Sequence, residues 1–172
     1  MQQHERLSGR RSVPALPSRR PRVRLALATA ADGTYAPRAD FNGDGIGGVA
    51  FSASGAYVSG KKDAGQLVVL YGSASGINAS SGTQSFAQST AGVPGPDEKG
   101  DFLGTDVKLD DVTGDGRADV VAGSYENDGN GAVLYPPSNG TKITAPGSRT
   151  VSPGDSGVST TGYPNFGANL GD

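Results

Sequence analysis

The stretch that most constrains this chain is Asp111-Val-Thr-Gly-Asp-Gly-Arg-Ala-Asp119, which runs straight into Val120-Val121-Ala122. Side-chain oxygens stand at its first, third, fifth and ninth positions, on Asp111, Thr113, Asp115 and Asp119. Gly114 and Gly116 fill the fourth and sixth, where a loop curling round a small cation needs a positive φ or a tight bend. Calcium takes about six to eight oxygen ligands at roughly 2.3–2.6 Å, so a short loop must turn several oxygens inward at once. This spacing does so, with the Arg117 carbonyl as the main-chain donor at position seven. Asp40-Phe-Asn-Gly-Asp-Gly-Ile-Gly-Gly48 repeats the pattern 71 residues earlier, with Gly48 at its ninth position. One loop is complete, and its sibling is one carboxylate short.

Such runs are also the material of ordinary polar turns, because Asp, Asn and Gly are the common turn residues. Four oxygens at ligand spacing favour calcium in Asp111–Asp119, and the missing carboxylate makes Asp40–Gly48 the weaker case. An EF-hand needs a glutamate at position twelve and flanking helices. Position twelve is Phe51 in one loop and Ala122 in the other, and strand-like residues surround both. Gly43-Asp-Gly-Ile-Gly-Gly48 satisfies G-x-G-x-x-G literally, but it follows no good strand, opens no helix and carries a carboxylate that would repel a pyrophosphate.

A metal matters more here than in most chains. The 172 residues include 28 Gly and 11 Pro, only 34% are hydrophobic, and there is no Cys. No disulfide framework is possible, so any staple must be an ion. The longest apolar run, Leu67-Val-Val-Leu-Tyr71, has the length of a strand and is far too short to span a membrane. Residues 1–24 hold seven Arg and one Glu, which leaves eight basic and sixteen acidic residues, a charge of −8, for residues 25–172. That body offers no basic stripe for nucleic acid and suits a collector of divalent cations.

Residues 1–22 lack periodicity and are rich in Arg, Pro and Ser, and Val23–Ala31 is a short apolar run ending in small residues. A basic region, an apolar run and an Ala-Thr-Ala end are similar to a secretory signal, although Arg24 interrupts the run. Two readings of residues 1–31 stand: an imperfect export signal, or a basic disordered tail.

From residue 32 the pattern is all-β. Candidate strands are Gly48–Ser52, Gly65–Tyr71, Asp106–Leu109, Asp119–Ala122 and Gly131–Tyr135, with weaker ones at Ala56–Ser59, Thr83–Ala87 and Gly147–Val151. An internal repeat organises them. Leu70-Tyr71 recurs as Leu134-Tyr135, 64 residues on, and Leu103-Gly104-x-x-Val107 recurs as Phe166-Gly167-x-x-Leu170, 63 residues on. The acidic loops are 71 apart because the first copy carries about seven extra residues around Ser54–Lys62. A unit of this size with about four short strands is the size of one propeller blade.

These residues resemble the FG-GAP repeat, the blade unit of the integrin alpha-subunit N-terminal β-propeller and of many secreted bacterial proteins. The carriers are Phe166-Gly167 with Leu103-Gly104 as a variant, the Asp111–Asp119 loop, and Val121-Ala-Gly-Ser124 in place of the family's small-residue turn. Gly131–Tyr135 and Gly65–Gly72 match the strand that follows. The resemblance covers roughly residues 32–172. It implies two four-stranded antiparallel blades, at 32–101 and 102–165, and the opening of a third repeat at 166–172, so that the chain reads as a fragment of a seven-bladed ring. It implies calcium held by Asp111, Thr113, Asp115, the Arg117 carbonyl and Asp119, and by Asp40, Asn42, Asp44 and the Ile46 carbonyl in the first loop.

The function expected from this resemblance is an extracellular, calcium-stabilised binding or structural module with a protein or carbohydrate partner, and with self-association through open blade edges. The repeat also occurs in secreted hydrolases such as the phospholipase D that acts on glycosylphosphatidylinositol anchors, so an accessory propeller of such an enzyme is the alternative, and a non-functional fragment is a third reading. His4 is the sole histidine and lies in the basic tail, which argues against Ser-His-Asp, Cys-His and imidazole–zinc chemistry in the body. Asp110 beside Asp111 is a paired-acid arrangement, but one carboxylate ligating and the other facing solvent is the simpler account. Tyr71 and Tyr135 are assigned to strand-end packing.

Overall fold

Short apolar alternations separated by Gly, Asp, Asn and Ser give seven short strands in the computed structural model, which describes residues 39–171 except Asn78 and Asn127. They are β1 (Val49–Ala53), β2 (Gln66–Leu70), β3 (Thr83–Phe86), β4 (Val107–Asp110), β5 (Asp119–Ser124), β6 (Ala132–Tyr135) and β7 (Arg149–Val151). The helical residues among those described are two single 3₁₀ turns, Ala79–Ser81 and Gly154–Ser156. Strands β1-β2-β3 form one antiparallel sheet and β4-β5-β6-β7 a second, each in sequence order. The four-stranded expectation holds for the second sheet. The first has three strands among the described residues. The counterpart of β4, 71 residues back, is 36–39, of which 36–38 lie outside the described residues, as does the whole basic segment 1–31.

Alternation decides which faces meet. Leu67 and Val69 are buried on one side of β2, while Gln66, Val68 and Leu70 are half-buried on the other. The buried side joins Val120, Ala122 and Leu134 of the second sheet in a single core, closed by Phe41, Val93, Leu103 and Ile143 from the connections. Two small sheets thus share one layer of apolar side chains, as a chain with few large hydrophobics requires.

The repeat is visible in the backbone. Gly65 bridges Leu103 in parallel, and Gly131 bridges Phe166 the same way. In both places the first residue of the next repeat's Leu/Phe-Gly motif lies so close that a Cβ on the glycine would sit 2.3 Å from its backbone. Only glycine permits that approach. The residue preceding the motif, Phe102 or Asn165, has φ near 50° in each copy.

Three details differ from the sequence expectation. Phe51 lies opposite Val68, and its counterpart Ala122 lies opposite Leu134, so β2 and β6 correspond at a spacing of 66 rather than the 64 that aligns the Leu-Tyr pairs. The slip is of two residues, which keeps every side chain on its face, and the insertion in the β1–β2 connection is five residues, not seven. No strand forms at Ala56–Ser59. Val58 and Lys61 exchange both backbone hydrogen bonds across Ser59-Gly60, each at positive φ, making a two-residue reverse turn. Nor is Val121–Ser124 a turn, because β5 runs through it. Gly123 is small because the Gly167 carbonyl packs directly on it.

Candidate functional site

Asp110 at the end of β4 pairs with Asp119 at the start of β5, so the acidic loop is the connection of that hairpin. Gly48 N–H donates to the Ala39 carbonyl at 2.8 Å, the corresponding rung beneath the first loop. The two loops then turn at the same two glycine positions. Gly43 and Gly114 have φ of 76° and 77°, and Gly45 and Gly116 both have 82°. In each, the first carboxylate gathers the loop's own amides. Asp111 accepts from Gly114, Asp115 and Gly116 N–H at 2.7–3.0 Å, and Asp40 from Asn42, Gly43 and Gly45 N–H at 2.7–3.3 Å. The fifth-position carboxylate holds the seventh amide: Asp115 accepts from Arg117 N–H at 2.9 Å and Asp44 from Ile46 N–H at 2.7 Å. Asn42 bonds Asp44 through its amide nitrogen at 3.0 Å.

The ninth position separates them. Asp119 is fully buried. Its Oδ2 accepts from Val112 and Thr113 N–H at 3.1 and 3.0 Å, and its Oδ1 from Ser138 N–H at 2.7 Å. It therefore ties the entrance of its loop to the connection after β6. Gly48 cannot be a carboxylate without rearrangement, since its Cβ would stand 2.4 Å from the Leu70 carbonyl oxygen and 2.9 Å from the Phe41 ring. Phe41 takes the space, entering the core where its counterpart Val112 stays exposed.

The loops are neighbours at one end of the paired sheets. Ala118 N–H donates to the Asp40 carbonyl at 2.9 Å, and the Ser138 hydroxyl donates to the Phe41 carbonyl at 2.6 Å. Arg117 spans them: its Nη1 is 3.7 Å from Asp115 Oδ2, and its Nε would lie 2.8 Å from a Cβ on Gly43. The oxygen-only donor set of Asp111, Thr113, Asp115 and the Arg117 carbonyl suits a hard cation in kind. Among the described residues, no three carboxylate or imidazole groups converge as a metal cluster. Asp111 and Asp115 lie on the exposed loop, with Asp119 beneath them directed at backbone amides.

Tyr71 is a strand-end residue, stacked edge-on against Phe41 with ring centroids 6.0 Å apart. Its hydroxyl donates to Gln84 and accepts from Ile143 N–H at 2.8 Å.

Sequence reasoning missed a second group, at the other end of β5, roughly 20 Å from the acidic loop at the usual strand rise. A cleft of about 440 Å³ opens there between the 94–98 segment, the 126–132 segment and the end of β7, with Gln88, Glu98, Glu126 and Asp128 among its lining residues. Gln88 Nε2 donates to Glu126 Oε1 at 3.0 Å, while the buried Gln88 Oε1 has no hydrogen-bond partner among the described residues. Burial pushes the Glu126 carboxyl above its ordinary value, and the charges of Asp101 and Asp128 add to this. Nothing local in the sequence marks the pair, which is 38 residues apart and meets only when the sheets pack.

No protein-family model matches the chain, and comparison with curated proteins and with solved structures finds no match either. Among the described residues, no helix is long and apolar enough to cross a membrane.

Proposed function

We propose that this chain is a calcium-binding β-propeller repeat module of the FG-GAP kind, acting outside the cell in a structural or interaction role with no catalysis of its own. The observation that carries the reading is the matching conformation of the paired glycines in the two acidic loops, with the first carboxylate of each gathering the fourth and sixth amides. A carboxylate offers about four lone-pair sites, so Asp115, which accepts from Arg117 N–H, keeps acceptor capacity for a cation. Calcium in Asp111–Asp119 fastens the β4–β5 hairpin in a protein without disulfides. At a hundredfold excess over its dissociation constant it contributes about 2.7 kcal/mol. The Asp40 loop, whose ninth position is glycine, is the weaker site or holds its shape without metal.

The interaction role falls to the cleft at the opposite end. Its carboxylates, Glu98, Glu126 and Asp128, suit a partner group that brings hydrogen-bond donors and positive charge, such as an ammonium or guanidinium. Thermal unfolding in excess calcium and in chelator tests the calcium reading. Calcium should raise the midpoint by about 5–10 °C, given roughly 2–4 °C per kcal/mol for a chain of this size. Asp115→Ala should abolish the rise while leaving the midpoint in chelator within about 2–4 °C of wild type. An identical midpoint in both buffers removes calcium from the account.

A further inference from the structure

Position seven of an acidic loop lends a metal only its main-chain carbonyl, so coordination places no demand on its side chain. In the first loop that residue is Ile46, and in the second it is Arg117. Across Asp40–Gly48 and Asp110–Asp119, with the carboxylates of Asp40, Asp44, Asp110, Asp111, Asp115 and Asp119, Arg117 is the single basic residue. Its guanidinium faces its own loop. Nη1 stands 3.7 Å from Asp115 Oδ2, while the other oxygen of Asp115 accepts from the Arg117 amide. A separation of 3.7 Å is an ion pair without a hydrogen bond.

The rest of the group is held by shape. Nε is buried and has no hydrogen-bond partner among the described residues. A Cβ on Gly43 would lie 2.8 Å from Nε, and a Cβ on Gly140 would lie 3.6 Å from Cζ. The guanidinium therefore sits in the space that these two glycines leave, on the first loop and on the turn after β6. A guanidinium carries several N–H donors, and leaving a buried one unpaired is unfavourable, so hydrogen bonding does not explain its place. The charge of Asp115 does. We propose, resting on the calcium reading of this loop, that the Arg117 side chain is a tethered competitor for the cation site. It neutralises Asp115 while the loop is free of metal, and it loses that pairing when a divalent cation takes the carboxylate, because two positive charges beside one carboxylate repel. Arg117 thereby sets the affinity of its loop. It weakens binding toward the range of extracellular modules, about 10⁻⁴–10⁻³ M, where only a calcium-rich medium fills the site.

Titration calorimetry of the whole chain with calcium chloride tests this, with Arg117→Gln and Arg117→Lys beside the wild type. Neither variant alters the main-chain carbonyl at position seven. Removing the positive charge beside a partly exposed carboxylate should tighten calcium binding roughly three- to tenfold in Arg117→Gln, at unchanged stoichiometry. Arg117→Lys keeps the charge and should stay within about twofold of the wild type. A purely structural arginine predicts the opposite for the neutral variant, namely weaker binding from a loosened loop. Thermal unfolding in chelator checks that each variant folds. If Arg117→Gln does not, Arg117→Met, which keeps an apolar stem between the two glycines, replaces it. Equal or weaker binding by the neutral variant, or a lysine variant that tightens as much, overturns the proposal and leaves the calcium reading standing, because the wild type still titrates. No calcium uptake by either the wild type or the neutral variant removes the calcium reading, and the proposal with it.

Discussion

Asp119 invites the sharpest test, because a ligand at position nine and a structural carboxylate make different predictions when calcium is removed. Its two oxygens accept from Ser138, Thr113 and Val112 N–H at 2.7, 3.0 and 3.1 Å, and the residue is completely buried. Asp119→Ala strands these donors. Val112 and Thr113 belong to an exposed loop and can recover water, so each loses little, about 0.5–1 kcal/mol. Ser138 is buried, and its amide bears the larger cost, about 1–3 kcal/mol. The expected total is about 3 kcal/mol in chelator, where no metal contributes. With a urea slope of about 2 kcal/mol per molar, the unfolding midpoint falls by roughly 1.5 M. Asp115→Ala, on the exposed loop, should shift the same midpoint by less than about 0.5 M. The measurement is urea unfolding followed by circular dichroism in chelator, for both variants and wild type. Equal midpoints for Asp119→Ala and Asp115→Ala would refute a structural role for the buried carboxylate and return Asp119 to the position of a metal ligand alone.

Other outcomes follow from single contacts. Gly48→Asp, which completes the nine-residue pattern on paper, should destabilise by about 1–3 kcal/mol and add no second calcium equivalent, because its Cβ meets the Leu70 carbonyl and the Phe41 ring; calorimetric titration with calcium and urea unfolding read the two effects. Tyr71→Phe should cost about 1–3 kcal/mol in urea unfolding, since it leaves the amide of the fully buried Ile143 without its acceptor. Glu126 has a folded-state pKa raised by burial, so its favourable contribution is complete below the unfolded value and is lost as pH rises through the folded one. Glu126→Gln, which keeps an acceptor for Gln88, should therefore raise the thermal midpoint at neutral pH. That advantage should vanish as the solution is acidified through the carboxylate range; a gain that persists at low pH would point to packing instead.

Much of this molecule is legible along the chain. Gly, Asp, Asn and Ser mark the strand ends, because these residues supply turn conformations that others take at a cost. Seven strand positions and both acidic loops are found from alternation and spacing. Where the sequence misleads, the cause is distant in the chain. Leu70-Tyr71 and Leu134-Tyr135 align by identity but not by register, because cross-strand pairing with β1 and β5, not the pair itself, sets the offset. Gly123 resembles a turn residue and is a strand residue, since a carbonyl 44 positions later needs the space.

By itself the sequence determined the elements and the kind of site: short half-buried strands, two glycine-bent acidic loops, and a repeat without disulfides. These depend on φ preferences and on neighbours within a few residues, so they can be read locally. Tertiary structure alone decided which faces are covered, that Asp119 serves buried amides, that Phe41 excludes a carboxylate at Gly48, and that Gln88 meets Glu126. Each of these is a contact across the packing of one sheet on the other. The energy of such a contact depends on what is removed from water, and local sequence does not state it.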